Sequence, residues 1–479
     1  MKLETFFSFK LIKFYIKILS MSFKHPLIDR YASKEMVEIF SDESRYSTWR
    51  RFWIVLAETQ KELGLNITDE QIDEMKEYEN NLNLDEAKRI EEELNHDVMA
   101  HIESFGLQAK KARPIIHLGA TSSEVTDNAE MVLNLKALKL IRQRVVDVIL
   151  ELLEFADKYK DLPCLSYTHL QPAQPTTVGR RATLWAYDLF IALEELDYLL
   201  KTIKTRGVKG TTGTQASYLE LFEGNHEKVK ELDSKVSQKL GFSESFWITG
   251  QTYSRNYDFI ILSKLALIAS SASKFANDVR YLQSIGEMEE PFGEKQVGSS
   301  AMPYKRNPIL SERINSLARY VSSITIVALQ NHLTQFLERT LDDSANRRII
   351  IPEAFLCVDA ILLLYKRIVK GLRVNESVIR KRMYDYLPFY AVENIMMNAV
   401  KKGGDRQTLH KIIRDKAMYV IEKVRKGESA NLFEELKKDD VPEVLRSNVV
   451  EDIRHYVGRS VEQVIEVSEK IKKYLGAWV

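Results

Sequence analysis

The sequence predicts an all-α protein organised around a central bundle of long helices. Glycine and proline are sparse, 19 and 11 in 479 residues, and they cluster. Between the clusters, apolar residues return at three- and four-residue steps, the spacing of one helix face. Period-two alternation, the mark of a half-buried strand, is hard to find anywhere. The helices implied are far longer than the usual globular length of about 11–12 residues. A bundle is the economical way to bury such faces, and their repetition favours an oligomer.

Each part follows in chain order. Residues 1–20 are apolar from Phe6 to Leu19 but broken by Lys10, Lys13 and Lys17. A span needs about 20 mostly apolar residues, and a signal peptide needs an unbroken apolar centre. We expect an extension outside the fold, with Met21 as a second possible start. Residues 21–121 read as a smaller helical domain. Residues 122–374 read as the bundle. No Gly or Pro falls between Ala120 and Leu162, where Val132, Leu135, Leu138, Ile141, Val145, Val148 and Leu152 mark one face. Thr176–Thr205, Tyr257–Ile285, Ile309–Leu341 and Pro352–Val369 give four further helices. Residues 375–479 read as a charged helical domain broken at Gly403-Gly404.

Composition excludes several classes. Hydrophobic content of 45% and charged content of 29% are those of a globular protein. The net charge of +1 provides no global field for nucleic acid or an anionic membrane. Any anion site must be built locally. Cys164 and Cys357 lack CxxC spacing and sit among apolar residues. We expect buried reduced thiols rather than a disulfide, which suits a reducing, cytoplasmic setting. No HExxH, HxxEH or Cys/His cluster suggests a metal.

Function is concentrated in polar loops between the helices: His117–Ser123, Tyr167–Pro175, Arg206–Gln215 and Gly298–Pro308. Turns rarely need so much hydroxyl, amide and histidine, which points to one site assembled from several helix ends. The run Gly-Ser-Ser-Ala-Met-Pro-Tyr-Lys-Arg-Asn-Pro at 298–308 stands out. It has too little apolar surface for a core and too many fixed cations for a spacer. With Asn307 as cap and Pro308 at the first helical position, it would lie at a helix N-terminus, where anions bind and hydroxyl pKa values fall. His169 lies in a proline-bracketed polar loop, a setting suited to proton transfer. His96-Asp97, in a Glu-rich helix Glu91–His101, reads as a solvated face or as part of a site. Glu338–Arg348 reads as a salt-bridged junction, or as a bidentate anion site through Arg339, Ser344 and Arg348. The Gly-Thr run 210–214 resembles a phosphate cradle but lacks a P-loop's GK[ST].

The run 298–308 resembles the signature loop of the fumarase/aspartase superfamily, whose members mostly break C–N or C–O bonds to release fumarate. Its Ala301-Met302-Pro303-Tyr304-Lys305-Arg306 variant is similar to that of the adenylosuccinate lyase family. Segments His117–Ser122, Thr168–Gln174, Lys209–Ser217 and Thr340–Arg348 agree, and the similarity runs from about Arg30 into the C-terminal region. The resemblance implies a three-domain homotetramer with active sites shared between subunits and no metal or organic cofactor. The implied small-molecule substrates are adenylosuccinate (giving AMP and fumarate) and SAICAR, with no nucleic acid or membrane partner. His169 matches the general acid, Ser299 the general base, and Lys305 a stabiliser of developing negative charge. Ser299 is preferred over Ser300 by resemblance alone. Arg30, Tyr31, His96, Asp97, Thr121, Ser122, Gln251, Arg313, Arg339, Ser344 and Arg348 match substrate-binding positions. Asn95 departs from the family, which commonly has arginine before His-Asp. The rivals are another fumarate-releasing lyase, such as one acting on argininosuccinate, and a lyase fold without chemistry.

Overall fold

A computed structural model describes residues 24–446 and 450–477; the expected extension at 1–20 lies outside them. The chain forms two compact units. The first comprises the stretch ending at Arg144, Glu195–Ala269 and Ser316–Leu363; the second comprises Val145–Glu194, Ser270–Asn315 and the stretch from Leu364.

The first unit begins with helices α1 (Asp42–Glu62), α2 (Leu84–Leu94) and α3 (Asp97–Gln108). Ser41 accepts the Ser44 N–H at the start of α1, and Asn83 accepts the Glu86 N–H at the start of α2. These are the donors that a new helix leaves without partners. Trp49, Phe52, Trp53, Val98, Phe105, Val125 and Tyr218 close into one apolar cluster.

The long helices are α4 (Ser122–Lys158), α5 (Val178–Thr202), α6 (Asn256–Ser284), α7 (Ile309–Leu333) and α8 (Ser344–Gly371), each contributing to both units. Helix α6 is long and apolar enough to cross a membrane by composition, but half of its most apolar window is buried. Its Phe275 packs on Trp185 and Tyr365.

Two helix ends differ from the sequence reading. Helix α7 stops at Leu333, although no Gly or Pro occurs before Leu341. The following segment is drawn out of helix by tertiary bonds. Gln251 N–H donates to the Glu338 carbonyl at 3.1 Å, Leu337 takes φ 47°, and Arg255 holds the Asp343 carboxylate at 2.6 Å. Helix α8 then begins eight residues before Pro352, which lies inside it. An interior proline costs about 3 kcal/mol. Here the first turn is anchored by Arg347, whose guanidinium is buried against Asp258 at 2.7 Å.

The structure adds a strand pair that periodicity does not announce. Strands β1 (Pro163–Thr168) and β2 (Gln171–Thr177) form an antiparallel hairpin, with Thr168 opposite Gln171 at its end. Three prolines mask it, because proline argues against a central strand. A two-stranded ribbon is all edge and tolerates them. In the second unit, helix α9 (Glu376–Lys401) packs against this hairpin, and a further apolar cluster gathers Ile395, Ala399, Leu409, Leu432 and Leu445.

Candidate active site

In the first unit, the Glu-rich segment is two helices rather than one. Asn95 ends α2 in the left-handed region (φ 51°), and His96 caps α3, its Nδ1 accepting the Met99 N–H. Asparagine is among the few side chains that tolerate this backbone. Asn95 therefore explains the turn that swings His96 and Asp97 out of line with the helix. Asp97 then takes a charge-assisted bond from Arg348 at 2.7 Å. The hydroxyl of Ser122, the first residue of α4, lies 3.4 Å from His96 Nε2. Four predicted residues from three separate segments are thus joined, with His96 itself exposed.

His117, close by in the chain's fold, is held neutral. Trp53 donates its indole N–H to His117 Nδ1 at 3.0 Å, and burial, with His96 as a second cause, pushes its pKa down to about 4.

Beneath Arg348 lies a lattice of buried charge. Arg255 bridges Asp127 and Asp343, and Arg347 bridges Asp258 and Glu130. Arg339 reaches the same Asp343 at 3.1 Å. Removing one member of such a lattice strands an opposite charge, so these groups are fixed in place. Arg45, Asp97, Arg339, Ser344 and Arg348 line one cavity above it. The Glu338–Arg348 segment is accordingly a salt-bridged junction whose Arg339, Ser344 and Arg348 also line a cavity shared with Asp97, Asp127 and Glu130.

The Gly-Thr run is not an open phosphate cradle. Gly210 donates its N–H to Glu124 Oε1 at 2.7 Å, and buried Arg206 pairs with that carboxylate at 2.9 Å. Lys209 is buried against Asp233 and Ser245. The other oxygen of Glu124 accepts the Thr121 N–H at 2.8 Å, so this internal pair also fixes the start of α4. Gln251 is fixed through its main chain, its carbonyl accepting from Arg206 at 2.8 Å. Arg30 and Tyr31 end a short turn, Leu27–Tyr31, with the Arg30 guanidinium 5.8 Å from the Tyr31 ring centroid.

The second unit carries His169, Ser299, Lys305 and Arg313. His169 and Leu170 form the tip of the β1–β2 hairpin, with φ 52° and 58°. His169 is exposed there. The signature loop is exposed through most of its length but internally fastened. Asn307 Nδ2 donates to the Gly298 carbonyl at 2.8 Å. A Cβ at Gly298 would collide with the Lys305 carbonyl oxygen, so only glycine allows this crossing. Within the pinch, Ser299 Oγ accepts the N–H groups of Met302 at 3.0 Å and Ala301 at 3.3 Å. Arg306 pairs with Glu289 at 3.2 Å.

The loop does not cap the helix in the manner expected from Asn307-Pro308. Asn307 is spent within the loop, and the Pro308 carbonyl accepts the Glu312 N–H at 3.0 Å. Buried Glu290 occupies the N-terminus of α7 instead. It accepts from Leu310 N–H at 2.9 Å and from both the N–H and the hydroxyl of Ser311. A protein carboxylate already fills that anion position. Arg313 stands one turn further along α7.

Among the described residues, no group of three or more His, Cys, Asp or Glu side chains is placed to hold a metal ion. Cys164 and Cys357 are buried and free, and burial pushes their pKa values up to about 11 and about 12. Both are buried as expected, and no disulfide joins them.

A family model described as "Lyase" matches residues 30–322, and another described as "Adenylosuccinate lyase C-terminus" matches residues 388–467. The chain is 46% identical over 447 residues to adenylosuccinate lyase of Schistosoma mansoni, covering 92% of this chain and 93% of that one. It is 45% identical over 453 residues to adenylosuccinate lyase of Saccharomyces cerevisiae, covering 93% and 94%. The chain belongs to the adenylosuccinate lyase family. The crystal structure of a fumarate lyase from Mesorhizobium sp. BNC1 shares the fold, with a TM-score of 0.78 at 23% identity over 91% of this chain and 98% of that one.

Two features of this lyase are invisible in its sequence. The amide nest around Ser299 depends on backbone dihedrals, and the Glu290 cap reaches α7 across a long loop. The strained tip at His169 has one signal: a two-residue turn flanked by Thr168 and Gln171, hidden because neither central residue is glycine.

Proposed function

We infer that this lyase eliminates fumarate from adenylosuccinate, leaving AMP, and from SAICAR, leaving AICAR, in purine biosynthesis. The observation that carries the chemistry is the pair of main-chain N–H groups on Ser299 Oγ. A serine is a poor base at neutral pH. Hydrogen bonds to its charged form favour the alkoxide, and fixed amide donors supply them without reorganisation. Exposed Ser300 lies outside the nest.

In this reading Ser299 alkoxide takes the proton from the succinyl carbon beside a carboxylate. The electron pair is held as an aci-carboxylate, with Lys305 opposing its charge. The pair then forms the C=C bond of fumarate as the C–N bond breaks. The departing amino nitrogen keeps the bonding electrons and takes its proton from His169. Proton balance closes without any redox change.

The substrate carries a phosphate and two carboxylates. Arg30, Tyr31, His96, Asp97, Thr121, Ser122, Gln251, Arg313, Arg339, Ser344 and Arg348 are the proposed binding set. The joined group His96–Asp97–Ser122–Arg348 supports it, with arginine suited to bidentate anion contacts. We place the enzyme in the cytoplasm as a homotetramer whose sites take loops from more than one subunit. Exposed Leu184, Tyr187 and Ile191 on α5, and Ile326 and Leu333 on α7, support association through helix faces.

An absorbance assay with adenylosuccinate and argininosuccinate in parallel tests the function. Turnover of adenylosuccinate is expected; turnover of argininosuccinate alone would overturn the reading.

A further inference from the structure

The backbone at the hairpin tip is held in a conformation that its residues do not choose. His169 and Leu170 are consecutive non-glycine residues at φ 52° and 58°. Together they bridge Thr168 and Gln171, which pair at the end of the ribbon. Two-residue hairpin turns with both central φ values positive are normally Asn-Gly, Asp-Gly or Gly-Gly, because a Cβ crowds the chain there. The Leu170 side chain is 66% exposed, so its own packing does not compensate. Strain of this kind persists only where the surroundings over-determine it.

Those surroundings converge on one side chain. Tyr281, near the end of α6, donates its hydroxyl to the Leu170 carbonyl at 3.2 Å. Its ring stands edge-on to Tyr167, with centroids 5.2 Å apart. Tyr167 lies two residues before His169 on β1, and its hydroxyl donates to buried Glu287 at 2.5 Å. Arg382 Nε reaches the same carboxylate at 3.0 Å. Tyr281 therefore joins the tip peptide to a strand fastened onto a buried ion pair.

We propose that Tyr281 is a positioning residue for His169, holding the strained turn that aims the imidazole at the departing nitrogen. This rests on the reading of His169 as the general acid. Tyr281 acts through the Leu170 peptide and touches no substrate.

The test is Tyr281→Phe, which keeps the ring and its packing and removes only the donor. Adenylosuccinate cleavage is followed across pH, with circular dichroism confirming the helical fold. The expected result is a fall in kcat of about 10- to 10²-fold with KM within about twofold of wild type, the pattern of a displaced acid rather than a damaged binding site. The high-pH limb of the kcat profile, set by loss of the acid's proton, flattens. A kcat within about twofold of wild type, or a KM that rises as much as kcat falls, overturns the proposal. An inactive wild type, or a His169→Ala variant near the wild-type rate, would instead overturn the functional reading beneath it.

Discussion

The side-chain oxygen of Ser299 accepts the main-chain N–H of Met302 at 3.0 Å. The Ala301 N–H meets the same atom at 3.3 Å, and this pair of donors supports the reading of Ser299, rather than Ser300, as the base. Removing a general base typically lowers a rate by about 10²–10⁴-fold. We expect Ser299→Ala to lose kcat on that scale and Ser300→Ala to stay within about fivefold of wild type, by steady-state kinetics on adenylosuccinate.

The nest exists because the loop crosses itself at Gly298. Gly298→Ala places a methyl against the Lys305 carbonyl and must open the crossing. The loop is mostly exposed, so its opening leaves the helical core alone. Activity should fall by about 10²-fold or more, as for loss of a preorganised donor, while the melting temperature moves little. A fully active Gly298→Ala enzyme would show that the nest is dispensable.

Glu290 makes the opposite prediction. It accepts three hydrogen bonds from Leu310 and Ser311 at a buried helix start. Glu290→Ala strands those donors, at a cost of about 1–3 kcal/mol. Chemical denaturation should report that loss. An unchanged unfolding midpoint would remove Glu290 from the account of why α7 begins where it does.

Two buried histidines tie stability to pH. Burial pushes His101 and His117 down to about 4 from the ordinary 6.5. Arg50 adds to the effect at His101, whose ring also stacks on Tyr46 at 3.7 Å. Both stay neutral in the native state, whereas the unfolded chain binds protons below about 6.5. Stability is therefore complete above that pH and is lost as pH falls towards about 4. Melting temperatures at pH 7.5 and 5 should show the drop, and His101→Phe should make it shallower. An equal slope in the variant would mean that His101 is not one of the groups responsible.

The extent of the fold readable in sequence follows from what glycine, proline and periodicity report. Helix α4 matches expectation because its apolar face repeats without interruption from Val132 to Leu152. Helix α7 reads too long because Thr334–Leu341 contains no breaker. Its departure from helix is driven by Glu338 and Asp343 meeting partners far away in the chain. The hairpin is hidden by its prolines. At the site, residue types and loops announce themselves, but roles of atoms do not. Asn307 has the look of a cap and instead ties down Gly298. The Gly-Thr run has the look of a phosphate cradle, and its Gly210 N–H is instead taken by Glu124. Asn95 has the look of a lost charge, and its left-handed backbone shows a residue chosen for geometry.

The most direct test of the acid–base assignment compares wild type with His169→Ala on adenylosuccinate, measuring AMP and fumarate while circular dichroism tracks the fold. Wild type should release both products in equal amounts, and His169→Ala should lose turnover with its helices intact. A His169→Ala enzyme that works near the wild-type rate would contradict the account.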